Sequence, residues 1–177
     1  MKRDRHSLRL KGYDYSGAGF YFVTVCTKNR GCVLGEVIDG RMAINGSGNI
    51  VKKCWEWLAQ QFPYVRLDEW VIMPDHLHGI IFVGAGLAPA PHDVHWATAR
   101  VAPTIGEIIG SFKSLCVVEW LKYITRNNIN EIGKIWQRNY FERIIRNKKE
   151  LNQKRQYIRN NPLKHKLEKN NSIKYKI

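Results

Sequence analysis

Residues 71–83 read VIMPDHLHGIIFV, an apolar run interrupted at Pro74-Asp75 and carrying two histidines one residue apart. The fixed φ of proline and the side-chain acceptor of aspartate suit a tight turn. The run therefore predicts two strands folded on each other, Val65 to Met73 and His76 to Val83. Side chains at i and i+2 of a strand share a face, so His76 and His78 point the same way, with Ile80 and Phe82 continuing that face. A face with this pattern is headed for burial, and two buried imidazoles need partners.

Outward from this pair, Gly19 to Thr27 (GFYFVTVCT) is dense in aromatic and β-branched residues and predicts a central strand. Cys32 to Val37 and Arg41 to Ile44 flank Asp39-Gly40 and predict a small hairpin. Between Asn49 and Phe62 the apolar Ile50, Val51, Cys54, Trp55, Leu58 and Phe62 recur at helical spacing, and Pro63 stops them. A second helix follows from Thr104 to about Arg126. It opens on a Thr104/Glu107 capping box, with Ile105, Ile108, Ile109, Phe112, Leu115, Val118 and Leu121 as its apolar set. Tyr140 to Ile145 predicts the last sheet strand, with Phe141 and Trp136 read as core. Lys148 to Asn161 predicts a third helix, ended by Pro162 because proline disfavours the α region for its predecessor. The order strand, helix, strand, strand, helix, strand plus a final helix is that of an α+β, ferredoxin-like split β-α-β sandwich with an antiparallel sheet.

Residues 84–103 (GAGLAPAPHDVHWATARVAP) show no periodicity and predict a flexible insertion in what is otherwise one domain over residues 1–177. His92 and His95 within it read as loop residues rather than ligands.

The chain holds 29 Lys and Arg against 15 Asp and Glu, a net charge of +14, with 44% hydrophobic residues. Such a balance suggests a nucleic-acid partner. The longest uncharged stretch is too short and too rich in Gly and Pro to span a bilayer, which argues against a membrane protein. The charged N-terminal residues are followed by no apolar signal region, so a cytoplasmic location is expected. Four cysteines without C-x-x-C spacing argue against a zinc ribbon and suit buried thiols.

Two imidazoles on one strand face are able ligands for a divalent ion, but such pairs also occur as plain polar positions at the start of a hairpin. On the third predicted helix Tyr157 and Asn161 lie one turn apart on one stripe. Their surroundings are cationic: Arg138, Arg143, Arg146, Lys148, Lys149, Lys154, Arg155 and Arg159 suit contacts to backbone phosphates, although some belong to a solvated face. A tyrosine hydroxyl is a weak nucleophile unless a base or a metal assists it. The residues alone leave three functions open. These are a tyrosine-dependent strand cleaver, a non-catalytic nucleic-acid-binding module, and a metal phosphodiesterase that activates water.

Taken together, Tyr13-Asp14-Tyr15, Tyr21-Phe22-Val23-Thr24, Met73-Pro-Asp-His-Leu-His-Gly79, Gly110-Ser-Phe-Lys-Ser114, Trp136-Gln-Arg-Asn-Tyr140 and Tyr157-Ile-x-x-Asn161-Pro162 resemble the single-tyrosine HUH transposases, and within them the REP-associated tyrosine transposases. The resemblance runs from about residue 8 to residue 165. It implies that His76, His78 and Asn161 ligate Mg or Mn, and that Tyr157 is the nucleophile on a C-terminal catalytic helix. The implied substrate is single-stranded DNA with REP-like hairpins, cut through a 5′-phosphotyrosine and rejoined by a cytoplasmic, nucleoid-associated enzyme. Relatives act as monomers or as homodimers, so either state is compatible. Two departures, Asp75 where asparagine is commoner and the insertion at 84–103, are expected to leave the catalytic atoms untouched.

Overall fold

The computed structural model describes residues 18–84, 103–130 and 133–174, with side chains described as far as residue 165. The Tyr13-Asp14-Tyr15 motif and, apart from its two ends, the expected insertion lie outside these residues. Strands β1 (Gly19–Cys26), β2 (Gly35–Ile38) and β3 (Arg41–Ile44) precede helix α1 (Gly46–Gln61); β4 (Val65–Met73) and β5 (His76–Val83) follow, then α2 (Ile105–Arg126), β6 (Phe141–Ile145) and α3 (Lys148–Lys174).

The main sheet has the order β4-β5-β1-β6, and every neighbouring pair is antiparallel. Omitting the accessory hairpin β2–β3, this is the strand order of the expected ferredoxin-like sandwich. The hairpin turns at Asp39-Gly40, whose φ values of 48° and 74° are what a two-residue primed turn requires.

The two faces of the sheet are covered differently. On one, Tyr21, Val23, Val25, Leu77 and Ile81 pack with Val51, Trp55 and Leu58 of α1 and Ile109, Phe112 and Cys116 of α2. Gly79 is required there, because a Cβ in its place would lie 2.3 Å from Trp55 Cζ2. On the other face, Phe22, Ile80 and Ile145 meet Leu151 and Ile158 of α3. Ile80 thus finds the cover its face demanded, and the same helix covers the histidines.

Local signals account for most element boundaries. Asn45 caps α1 by accepting from the Gly48 N–H at 3.0 Å, which starts the helix at Gly46, three residues before the expected start at Asn49. The Thr104/Glu107 capping box opens α2 as expected. Three expectations are corrected. The buried stripe of α2 turns through Cys116, Trp120 and Ile124, leaving Val118 and Leu121 exposed. Side chains four apart stack, and this stripe follows that spacing from Ile108 onward. Phe141 is 45% exposed, since β6 is an edge strand whose outer end nothing described here covers. Finally, α3 runs through Pro162 to Lys174 instead of stopping at Asn161. Proline removes only one backbone donor, and the turn that follows has tertiary support. Pro162 is buried, and Leu163 lies over the β2–β3 turn, where a Cβ on Gly40 would meet its Cδ2 at 2.5 Å.

Candidate active site

The antiparallel register sets Thr24 opposite His78 and Cys26 opposite His76, so the α3-covered face of the sheet presents these residues as a block. His76 and His78 are 8% and 6% exposed, and Asn161 on α3 is 7% exposed. Together with Tyr157, Thr24, Arg30, Asp75, Lys164 and His165 they line a cleft of about 470 Å³. The predicted ligands and nucleophile therefore converge from β5 and α3 of one chain.

Each imidazole is oriented by its Nδ1. His76 Nδ1 donates to Asp75 Oδ1 at 2.5 Å, and Asp75 Oδ2 in turn holds Arg30 Nε at 2.9 Å. Asp75 thus contacts a proposed ligand directly, contrary to the expectation that this departure leaves the catalytic atoms alone. The bond fixes the ring and tautomer of His76, as a carboxylate partner does for the histidines of metal sites in general. His78 Nδ1 lies 2.8 Å from Thr24 Oγ1, a hydroxyl able to donate or accept and hence to suit either tautomer.

These bonds turn both Nε2 atoms toward each other, 3.0 Å apart. That is the separation of two cis nitrogens each about 2.1 Å from a shared cation. Burial pushes both imidazoles toward the neutral form that ligation requires. His78 is lowered to about 3, by burial first and then by His76, Lys154 and Arg30. His76 is lowered by burial, partly offset by the Asp75 carboxylate. Among the described residues no three His, Cys, Asp or Glu side chains group as a metal centre. An ion here would take its third protein donor from an amide, and Asn161 in the cleft wall is that amide. The donor set fits a divalent ion that tolerates nitrogen and neutral oxygen.

Tyr157 reaches the site from α3, its hydroxyl 3.3 Å from His78 Nε2. Its ring meets Phe22 edge-on, with centroids 6.0 Å apart. The Lys154 and Lys164 ammonium groups lie 5.8 Å and 5.4 Å from the ring centroid. Lys154 also sits 4.6 Å over Phe22, and burial lowers its pKa from the usual lysine value. The far side of Tyr157 opens into a second cleft of about 470 Å³, which Arg143, Gln153, Asn160 and Lys164 help to line. The phenol thus stands between two clefts with cations on both sides, where an anionic diester would be drawn.

Helix α3 is fixed by an acidic bulge. The register of β4 slips between Leu67 and Trp70, which lets the consecutive carboxylates Asp68 and Glu69 both face the helix. Arg155 bonds Asp68 twice, through Nε at 2.8 Å and Nη2 at 2.5 Å. One turn on, Arg159 Nε bonds Glu69 Oε1 at 3.0 Å. Arg155 holds the Asp68 carboxyl below the usual carboxylate range. These two arginines straddle Tyr157 and tie its helix to β4.

The other sequence-predicted cations are more scattered. Arg143 pairs with Glu150 at 2.8 Å, whose second oxygen accepts from the Arg146 N–H. Lys148 and Lys149 are exposed at the start of α3, and Arg138 lies away from the histidines, at a cleft beside α2. Sequence reasoning quoted Thr24 within a motif without giving it a role, and passed over Arg30, Lys164 and His165. Strand pairing of β1 with β5 identifies Thr24, whereas Lys164 and His165 lie beyond the proline at which the helix was expected to end.

No family model matches the chain. An uncharacterised protein of Haemophilus influenzae is 44% identical over 165 residues, which cover 90% of this chain and 88% of that protein. Among solved structures, a REP-associated tyrosine transposase bound to a REP hairpin aligns with a TM-score of 0.55 and 20% identity, over 89% of this chain and 74% of that one. A candidate transposase of Deinococcus radiodurans aligns with a TM-score of 0.47 and 19% identity, over 86% of this chain and 95% of its own.

Proposed function

We propose that this chain, which belongs to one family with the Haemophilus influenzae protein and has the fold of the REP-associated tyrosine transposase, is a metal-dependent single-stranded DNA endonuclease and strand transferase. The observation that carries the reading is the approach of Tyr157 to His78 Nε2 at 3.3 Å, inside a cleft that also holds His76 and Asn161. A structural tyrosine needs only ring packing; this one brings its hydroxyl to a buried imidazole.

His76 Nε2, His78 Nε2 and the Asn161 amide oxygen would hold Mg or Mn, which when bound supplies Lewis-acid charge to the scissile phosphate. The chain's own residues do the rest. Asp75 and Thr24 keep the two Nε2 lone pairs convergent, and Arg30, Lys154 and Lys164 attract the diester. Tyr157 Oη attacks phosphorus as the P–O3′ bond breaks, giving a 5′-phosphotyrosine and a 3′ oxygen. The phenolic proton leaves to solvent, and the 3′ oxygen takes one up. Attack by a 3′-hydroxyl on the phosphotyrosine reverses the step and joins strands, with the ester bond conserved and no nucleotide triphosphate consumed.

The proposed substrate is single-stranded DNA carrying a REP-like hairpin, a reading supported by the REP hairpin bound to the structural neighbour. Phe141, exposed on the Thr24 side of the sheet, offers a plane for stacking an unpaired base beside the site. Among the described residues no helix is long and apolar enough to cross a membrane; the proposed place of action is the cytoplasm. The site is complete within one chain, so a homodimer is compatible with the mechanism and not required by it.

Incubating the protein with labelled hairpin oligonucleotides and Mn tests the proposal. A denaturation-resistant protein–DNA band is expected. Cut DNA without such a band would identify a water-activating phosphodiesterase, and binding without cutting would identify a non-catalytic module.

A further inference from the structure

Helices α1 and α2 lie side by side over the apolar face of the sheet, and two contacts set their register. Gly46, the first residue of α1, faces Tyr123 in the last turn of α2, where a Cβ on the glycine would lie 2.3 Å from the phenolic oxygen. Toward the other end, Trp55 of α1 meets Phe112 of α2 edge-on, with ring centroids 5.2 Å apart. The helices therefore run antiparallel. With an equal rise of about 1.5 Å per residue along each, the stretch between these contacts brings Cys54 level with Cys116. The two thiols do meet, hydrogen-bonded to each other inside the core. Both lie on the face of the sheet opposite the histidines, and the proposed DNA chemistry uses neither.

Two thiols in contact can be oxidised as a pair only if a reagent reaches one of them. Cys54 is 2% exposed and stands, with Ile50, Trp57 and Leu115, in the wall of a cleft of about 600 Å³ that the described residues leave between the helices. Cys116 is fully covered. The Cys116 S–H donates to Cys54 and holds its pKa below the usual thiol value, whereas burial pushes Cys116 up. The thiolate, not the thiol, is the nucleophile. Access and hydrogen bonding thus single out the same sulfur for attack and leave Cys116 behind it as the second thiol. The remaining cysteines sit elsewhere, Cys32 exposed and Cys26 half-buried beside Arg30.

We propose that Cys54 and Cys116 are a modification site, oxidised to an intramolecular disulfide by hydrogen peroxide that enters through the cleft between α1 and α2. The Cys54 thiolate attacks one peroxide oxygen and the O–O bond breaks. The departing hydroxide takes up a proton and leaves as water, and Cys54 becomes a sulfenic acid. The Cys116 sulfur then attacks Cys54 Sγ, the S–O bond breaks, and a second water carries off the Cys116 proton. Two electrons pass from the thiols to the peroxide. The new bond closes a loop over residues 55–115 and restricts the unfolded chain. It staples the two helices of the packed face and leaves the catalytic face as it was.

The inference is independent of whether Tyr157 attacks DNA, and its test needs no DNA. The reduced full chain is treated with hydrogen peroxide, unfolded, alkylated at its remaining thiols and mapped by mass spectrometry without reduction. A cross-linked pair of peptides holding Cys54 and Cys116 is expected, lighter by two hydrogen atoms than the separate thiol peptides. The oxidised chain should melt higher by roughly 10 °C, and dithiothreitol should return it to the starting value. In Cys116→Ala the reaction should stop at a sulfenic acid on Cys54 that dimedone captures, with folding verified by a melt. Exposed Cys32 gauges the dose. Cys54 and Cys116 both recovered as alkylated thiols after Cys32 has been oxidised would overturn the proposal, as would a cross-link from either of them to Cys26 or Cys32 instead.

Discussion

The two faces of one four-stranded sheet are put to opposite uses. The α1/α2 face is apolar and close-packed, with a glycine at position 79 because the Trp55 ring occupies the space a side chain would need. One residue away, on the other face, His78 is equally buried but is surrounded by hydrogen-bonding groups and covered by a helix held through ion pairs. On the proposed function, strand β5 supplies stability with one row of side chains and chemistry with the other. Damage to the first face should unfold the protein, and damage to the second should disarm it.

The sharpest break in that contrast is Trp55→Ala. It should cost about 3 to 5 kcal/mol, a large share of a domain's total stability, measured as a fall in the denaturant midpoint. His76→Ala or His78→Ala should leave folding at pH 7 nearly intact and eliminate Mn binding in calorimetry along with cleavage. Asn161→Ala should weaken both less, since a neutral amide is the poorer ligand.

Acid should discriminate between the faces as well. His78 titrates near 3 in the folded chain, against the ordinary 6.5. The unfolded chain therefore binds the extra proton first as pH falls. The stability this neutral group confers is complete above about pH 6.5 and declines as pH drops toward 3, reaching a loss of about 2 kcal/mol by pH 5. In metal-free buffer, His78→Gln should flatten the melting temperature between pH 6.5 and 5. A profile as steep as that of the unsubstituted protein would show that another group is responsible.

The smallest expected effect on stability concerns the helix clamp. Asp68→Ala removes both bonds to a partly exposed Arg155, at a cost of about 1 kcal/mol. If the clamp positions Tyr157, adduct formation should fall further than stability does, and the restored carboxylate in Asp68→Glu should recover part of it. Parallel losses would reduce the clamp to a surface ion pair.

Local chemistry made much of this architecture legible in the sequence. Pro74-Asp75 divides β4 from β5 and Thr104/Glu107 opens α2, because turns and caps are decided by neighbouring residues. His76 and His78 were legible through strand alternation, and Tyr157 and Asn161 through helical spacing. What escaped depends on distant packing. Pro162 reads as a stop, yet the turn beyond it docks on the β2–β3 hairpin and brings Lys164 and His165 to the site. Phe141 reads as core, but its strand lies at the sheet edge. Arg155 and Arg159 read as DNA contacts; only the bulge that turns Asp68 and Glu69 toward α3 reveals that both also hold the helix. Asp75 looked like a neutral departure from a family pattern until the fold set it against His76.

The central claim is that Tyr157 becomes covalently joined to DNA. The most direct measurement is mass-spectrometric mapping of the protein after reaction with a hairpin oligonucleotide and Mn, beside the Tyr157→Phe variant, which keeps the ring packed on Phe22 and lacks only the hydroxyl. The account predicts a nucleotide adduct on the peptide containing Tyr157, and none in the variant despite unchanged DNA binding and melting temperature. An adduct on another residue, or undiminished cleavage by Tyr157→Phe, would contradict it.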